Sequence, residues 1–257
     1  MPAVARSEPF REQACPHGVC DGSGWILGPE DVARPCECRA ERLRRGQGRG
    51  VAAAIPRRYR GVSFDRPPIS DMARDIKSGR ICVEACREYV AGLDDNLEEG
   101  RGLWLMGNTG TGKTSLGMVV AKAALAQGKT VGVYFAPKLL TRIRQTFQET
   151  ESEDAYGQLF AKLTALDLLY IDDLGAERRT DWVVEQLYAV INERYEEQRS
   201  VLVTSNATSD VAEGQQQLEE QIGSRTVSRL VEICGDPLPL FGPDRRVEAR
   251  QPRAVGE

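Results

Sequence analysis

Between the apolar run GLWLM (102–106) and a stretch of helical periodicity stands Gly107-Asn108-Thr109-Gly110-Thr111-Gly112-Lys113-Thr114. The pattern G-x-x-x-x-G-K-[ST] constrains the fold more than any other feature of the chain, because it needs a strand before it and a helix after it. Its glycines let backbone N–H groups turn inward around a phosphate, and the helix N-terminus adds partial positive charge. Lys113 has the reach to meet β- and γ-phosphate oxygens as a point charge, and the Thr114 hydroxyl to ligate Mg²⁺. The eight residues are therefore expected to hold the phosphates of a nucleotide.

The surrounding pattern supplies the rest of an α/β fold. GLWLM, TVGVYF (130–135), LDLLYI (166–171) and VLVTS (201–205) are short and nearly all apolar, as strands covered on both faces are. Helical stretches separate them: one from Lys113 that stops at Gly128, one beginning near Pro137 and one over 181–197. Upstream, Met72, Ile76, Ile81, Ala85, Tyr89 and Leu93 fall near helical spacing and predict one or two helices, with Gly79 a weak point. Strand and helix alternation of this kind predicts a parallel sheet. PLPLF (237–241) carries two prolines and suits an edge strand only.

LLYIDDLG places Asp172 and Asp173 just past an apolar strand. One carboxylate there can hold the Mg²⁺ water shell and the second can orient or deprotonate an attacking water, so Asp172 is assigned to Mg²⁺ and Asp173 to the base. Asn206 ends another buried strand and can reach the same water or the γ-phosphate if the two strands are neighbours. Catalysis has little else to draw on, because His17 is the single histidine among 257 residues. That count excludes multi-histidine metal sites, and no imidazole lies beyond residue 17 to serve a Ser-His or Cys-His nucleophile in the region of the loop and the acids.

Charge and cysteine concentrate at the N-terminal end. Residues 1–60 hold 11 Lys+Arg against 7 Asp+Glu, which leaves 23 against 31 for the rest. Eight arginines and one acid, Glu41, lie between Arg39 and Arg60, a basic stretch able to meet phosphates. Four of seven cysteines, Cys15, Cys20, Cys36 and Cys38, fall within 24 residues around His17. Two short-spaced pairs can give Zn²⁺ its four ligands. The first pair is either Cys15 with Cys20 or His17 with Cys20; His17-x-x-Cys20 has the better chelating spacing, so His17 is expected as the ligand and Cys15 as the spare. Cys82, Cys86 and Cys234 read as packing residues. No apolar run reaches the roughly 18 residues of a membrane span, and no secretory signal is visible, so the chain is expected to be cytoplasmic.

Loop, paired acids, Asn206 and the late segment IGSRTVSRL (222–230) together resemble the AAA+ ATPases of the DnaC/IstB type. The resemblance runs from about Ile55 to Arg246, and IPRRYRGVSF resembles the segment leading into that core. CDGSGW with CEC is similar to the zinc-binding N-termini of some DnaC-like helicase loaders. The resemblance implies a five-stranded sheet of order 5-1-4-3-2, with ATP between subunits of a homo-oligomer. It implies an arginine finger in trans, Arg229 or else Arg225, and a second sensor at Arg245, with Arg246 the fallback. Twelve residues after Arg245 are too few for the helical lid of many AAA+ proteins, which is expected to be absent. In that clade the helix carrying Lys138, Arg142 and Arg144 lines a single-stranded DNA channel.

The implied organisation is a zinc- and partner-binding module at 1–50, a linker at 51–68 and the ATPase domain at 69–257. The implied function is ATP-dependent loading of the replicative DNA helicase onto single-stranded DNA. The alternative is an IstB-like helper of a transposase.

Overall fold

The computed structural model describes residues 15, 17–20, 25–27, 33–38, 55–75, 77–147, 155–207 and 210–248. The Arg-rich stretch before residue 55 lies outside the described residues. The chain divides into two compact units, Met1–Gly50 and Val51–Glu257. In the smaller, strand β1 (Trp25–Leu27) pairs antiparallel with β2 (Ala33–Pro35), with Ile26 opposite Arg34.

The larger unit is a parallel sheet of β3 (Leu103–Gly107), β4 (Val131–Phe135), β5 (Leu168–Leu174), β6 (Ser200–Asn206) and β7 (Leu238–Pro239). Their order across the sheet is β4-β5-β6-β3-β7, which from the other edge is the expected 5-1-4-3-2 of the core strands. The interior strands are buried on both sides because both sides are covered, which makes them mostly apolar. Helices α1 (Ile69–Asp75), α2 (Lys77–Ala91), α3 (Leu93–Glu98) and α4 (Lys113–Ala126) pack on one face, over Leu105, Val133, Leu168 and Tyr170. Five more helices pack on the other, over Trp104, Met106, Leu169, Ile171 and Val203. They are α5 (Ala136–Thr146), α6 (Ala155–Ala165), α7 (Asp181–Glu196), α8 (Val211–Ile222) and α9 (Ser224–Cys234). A short α10 (Arg245–Glu248) follows β7. Among the described residues no helix is long and apolar enough to cross a membrane.

Three details differ from the sequence expectation. The upstream helical stretch is three helices rather than one or two. Gly79 is no weak point: it lies inside α2 where the helix meets α1, and a Cβ there would stand 2.3 Å from the carbonyl oxygen of Met72. The third concerns β5, which does not end before its acids but runs through them to Leu174. The β5–β6 register shifts between Ile171 and Leu174, and Asp173 sits at φ 60°, so both acids occupy a bulge within the strand. Such a bulge re-aims side chains without ending the pairing.

Candidate nucleotide site and metal centre

The loop 107–112 joins β3, central in the sheet, to α4. Gly110 (φ 82°) and Gly112 (φ 108°) take left-handed backbone, which only glycine adopts without strain. The segment after β7 grips the loop from outside. Asn108 Nδ2 donates to the Gly242 carbonyl at 3.1 Å, and Gly242 N–H donates back to Asn108 Oδ1 at 3.2 Å. The Arg245 N–H reaches the Gly110 carbonyl at 3.1 Å. Thr111 closes the loop on itself, its hydroxyl donating to the Asn108 carbonyl at 3.0 Å.

Lys113 turns back under this loop and is nearly buried. Its ammonium donates to the carbonyls of Gly107 (2.7 Å) and Asn108 (2.8 Å) and to Asn206 Oδ1 (2.9 Å). Burial pulls its pKa down to about 8, against the opposing pull of Asp173 and Asp172. Asn206 sits at the end of β6, beside β3 and β5, and its amide donates to Asp173 Oδ1 at 2.5 Å. Lysine, asparagine and acid thus form one continuous chain. Thr114 is half-buried in the first turn of α4.

Asp172 is held by residues that motif reading passes over. Its Oδ1 accepts from the Tyr170 hydroxyl at 2.7 Å and from Thr204 Oγ1 at 2.8 Å, while the Asp173 N–H donates to Thr204 Oγ1 at 2.8 Å. The signal was available in the spacing: Tyr170 lies two residues before Asp172 on β5, and Thr204 two before Asn206 at the end of β6. Buried Glu177 was also missed. Its carboxylate accepts the Gly175 N–H at 3.1 and 3.2 Å, closing the turn after the bulge, and burial raises its pKa.

The arginines divide. Arg229 lies on α9 and packs on α7: it donates to Asn192 Oδ1 (3.1 Å), pairs with Glu232 (2.8 Å) and covers the Tyr195 ring at 4.2 Å. None of these contacts reaches the loop and its acids. Arg225 is exposed on the same helix. Arg245 touches the loop through its backbone, and Arg246 is close enough for its charge to lower the Lys113 pKa. Lys138, Arg142 and Arg144 are exposed along α5, the last stacked 4.8 Å from the Trp182 ring.

In the N-terminal unit the sulfurs of Cys15, Cys20, Cys36 and Cys38 all lie within 4.8 Å of one another. Cys15 and Cys36 are 3.8 Å apart, Cys20 and Cys38 3.4 Å. His17 is exposed and outside this group, so Cys15 rather than His17 completes the set of four. The reason is the turn at Gly18 (φ 63°), whose N–H donates to the Cys15 carbonyl at 3.0 Å and folds Cys15 back toward Cys20. Backbone N–H groups, first that of Cys20, pull the Cys15 thiol down to about 5. A thiolate is the form that binds metal.

A phosphate loop at the tip of a central strand, with paired acids two strands away in this order, makes the chain an AAA+ P-loop ATPase, an enzyme that hydrolyses ATP. Residues 88–235 match the family described as IstB-like ATP binding protein, and the chain belongs to that family.

Its relatives include the phage-like element PBSX protein XkdC of Bacillus subtilis (strain 168), 30% identical over 233 residues that are 86% of this chain and 80% of that protein. The replicative helicase loader DnaI of the same organism is 22% identical over 87% of this chain and 71% of its own length. Among solved structures, the crystal structure of the DnaC helicase loader superposes with a TM-score of 0.62 at 25% identity, covering 72% of this chain and 99% of that one.

Proposed function

We propose that this chain is an ATP-dependent loader of the replicative DNA helicase onto single-stranded DNA, acting in the cytoplasm. The observation that carries the proposal is the extent of the likeness to DnaI: 87% of the chain is longer than Val51–Glu257, so the match reaches into the Cys-rich unit. The IstB-like match at 88–235 is confined to the ATPase core. That narrower match favours the second reading, a helper of a transposase.

Residues 1–50 are then the zinc- and helicase-binding module, 51–68 the linker and 69–257 the motor. Four thiols suit one zinc ion, because Zn–S bonds of about 2.3 Å in a tetrahedron put sulfurs about 3.8 Å apart. In the motor, the backbone N–H groups of residues 107–112 cradle the phosphates, and Lys113 exchanges its loop carbonyls for β- and γ-phosphate oxygens. Thr114 and Asp172 are the residues that would hold Mg²⁺, whose charge neutralises the developing negative charge on the phosphates. Asp173 orients and deprotonates the attacking water. Asn206 can hold that water or the γ-phosphate once Lys113 has turned to the nucleotide.

Arg245 or Arg246 senses the nucleotide from the segment clasped to the loop. Arg229, released from Glu232, serves as the finger on a neighbouring subunit's γ-phosphate, with Arg225 the other candidate. Lys138, Arg142 and Arg144 follow a DNA backbone by charge.

A pull-down with the host's replicative helicase tests the assignment. Retention of the helicase by the full chain, lost when residues 1–50 are deleted, is the expected result. Retention of a transposase and no helicase would favour the second reading.

A further inference from the structure

Asp172 does not rest freely in its bulge. Two hydroxyls, Tyr170 at 2.7 Å and Thr204 at 2.8 Å, donate to the same oxygen, Oδ1. Neither donates to Oδ2, and the carboxylate cannot rotate without breaking both bonds. Tyr170 is fully buried beneath α4. Gly117 is the seat for its ring: a Cβ at 117 would stand 2.4 Å from Tyr170 Cζ and 2.5 Å from its hydroxyl. That same helix begins with Lys113 and Thr114. Thr204 acts twice, since its Oγ1 also takes the Asp173 N–H at 2.8 Å.

We propose that Tyr170 and Thr204 are positioning residues for the Mg²⁺–nucleotide complex: they occupy Oδ1 of Asp172, leave Oδ2 as the metal-facing oxygen, and index it to Thr114 through the Gly117 seat on α4. The proposal rests on the reading of Thr114 and Asp172 as the magnesium side of the site. Groups that orient a metal-binding carboxylate contribute about 10- to 100-fold to metal affinity when measured by their removal.

The test uses the full chain, Mn²⁺ as the paramagnetic probe for Mg²⁺, and a non-hydrolysable ATP analogue. Bound Mn²⁺ is read by electron paramagnetic resonance, nucleotide affinity in EDTA by fluorescence, and the fold by thermal midpoint. Tyr170→Phe and Thr204→Val are expected to raise the half-saturating Mn²⁺ about tenfold or more, leave nucleotide affinity in EDTA unchanged, and differ from Thr204→Ser, which keeps the hydroxyl and stays near wild type. A folded Tyr170→Phe variant whose half-saturating Mn²⁺ lies within about twofold of wild type overturns the proposal, as does a lowered thermal midpoint with unmoved metal dependence. Should Tyr170→Phe fail to fold, the Val and Ser variants at 204 decide alone. Wild-type protein that binds the analogue without recruiting Mn²⁺ overturns the magnesium reading itself, and the positioning role with it.

Discussion

Lys113 is a cation held among the carbonyls of Gly107 and Asn108. Its pKa in the folded chain is drawn down to about 8 by burial. An unfolded chain holds the same proton to about 10.4. Between those values the unfolded chain binds more protons, so stability rises with pH across that window, and the cost of the buried cation is fully present below it. If Lys113 takes the phosphates as proposed, they restore its charge, and nucleotide binding above about pH 8 takes up a proton. ATP affinity in EDTA is therefore expected to fall roughly tenfold between about pH 7.5 and 9, with proton uptake visible by calorimetry in buffers of different ionisation enthalpy. Lys113→Ala is expected to abolish binding without lowering the thermal midpoint, since it removes a buried charge. A pH-independent affinity in the wild type would contradict this account.

At the scale of elements, close approaches decide what the helices can do. The carbonyl of Met72 fills the space where a Cβ at Gly79 would go, and the Met72 sulfur lies 2.7 Å from the Cβ position of Gly112. Helices α1 and α2 are thus fitted to each other, and α1 is fitted to the phosphate loop. Gly79→Ala is expected to cost about 1–3 kcal/mol by overpacking, read as a lower midpoint in denaturant at unchanged slope. In the sequence Gly79 reads as a helix weakness, because a lone glycine in a helical pattern looks the same whether it breaks the helix or admits a neighbour.

Strand β5 shows a similar limit. LDLLYI was legible as a strand from its apolar run, but the bulge at Asp172 and Asp173 was not, since acids after such a run read as a strand end. The loop, in contrast, was legible outright: glycine and lysine at fixed spacing between strand and helix have few other uses.

For the whole molecule, the sheet order and the two-sided packing followed from resemblance and from apolar strands. The choice between Cys15 and His17 did not, because it depends on a turn at Gly18 that spacing alone does not reveal. Purified protein is expected to carry about one zinc per chain, and Cys36→Ser with Cys38→Ser to lose it while the ATPase unit keeps its nucleotide affinity. Metal analysis together with nucleotide titration checks both.

Assembly is the other claim at this scale. Arg229 is committed to Glu232, Asn192 and Tyr195 within its own subunit. Hydrolysis should therefore be slow in the monomer and rise with protein concentration. Arg229→Ala is expected to preserve ATP binding and remove that rise; if turnover still climbs with concentration, Arg225 inherits the role.

The central claim is that ATP turnover at Lys113, Asp172 and Asp173 serves to place a helicase on DNA. Its most direct measurement is the transfer of the purified hexameric helicase onto circular single-stranded DNA, with ATP and either wild-type chain or Lys113→Ala. The account predicts transfer with the wild type and at most background with the variant. Equal transfer by both, or none by either while ATP is being hydrolysed by the wild type, would contradict it.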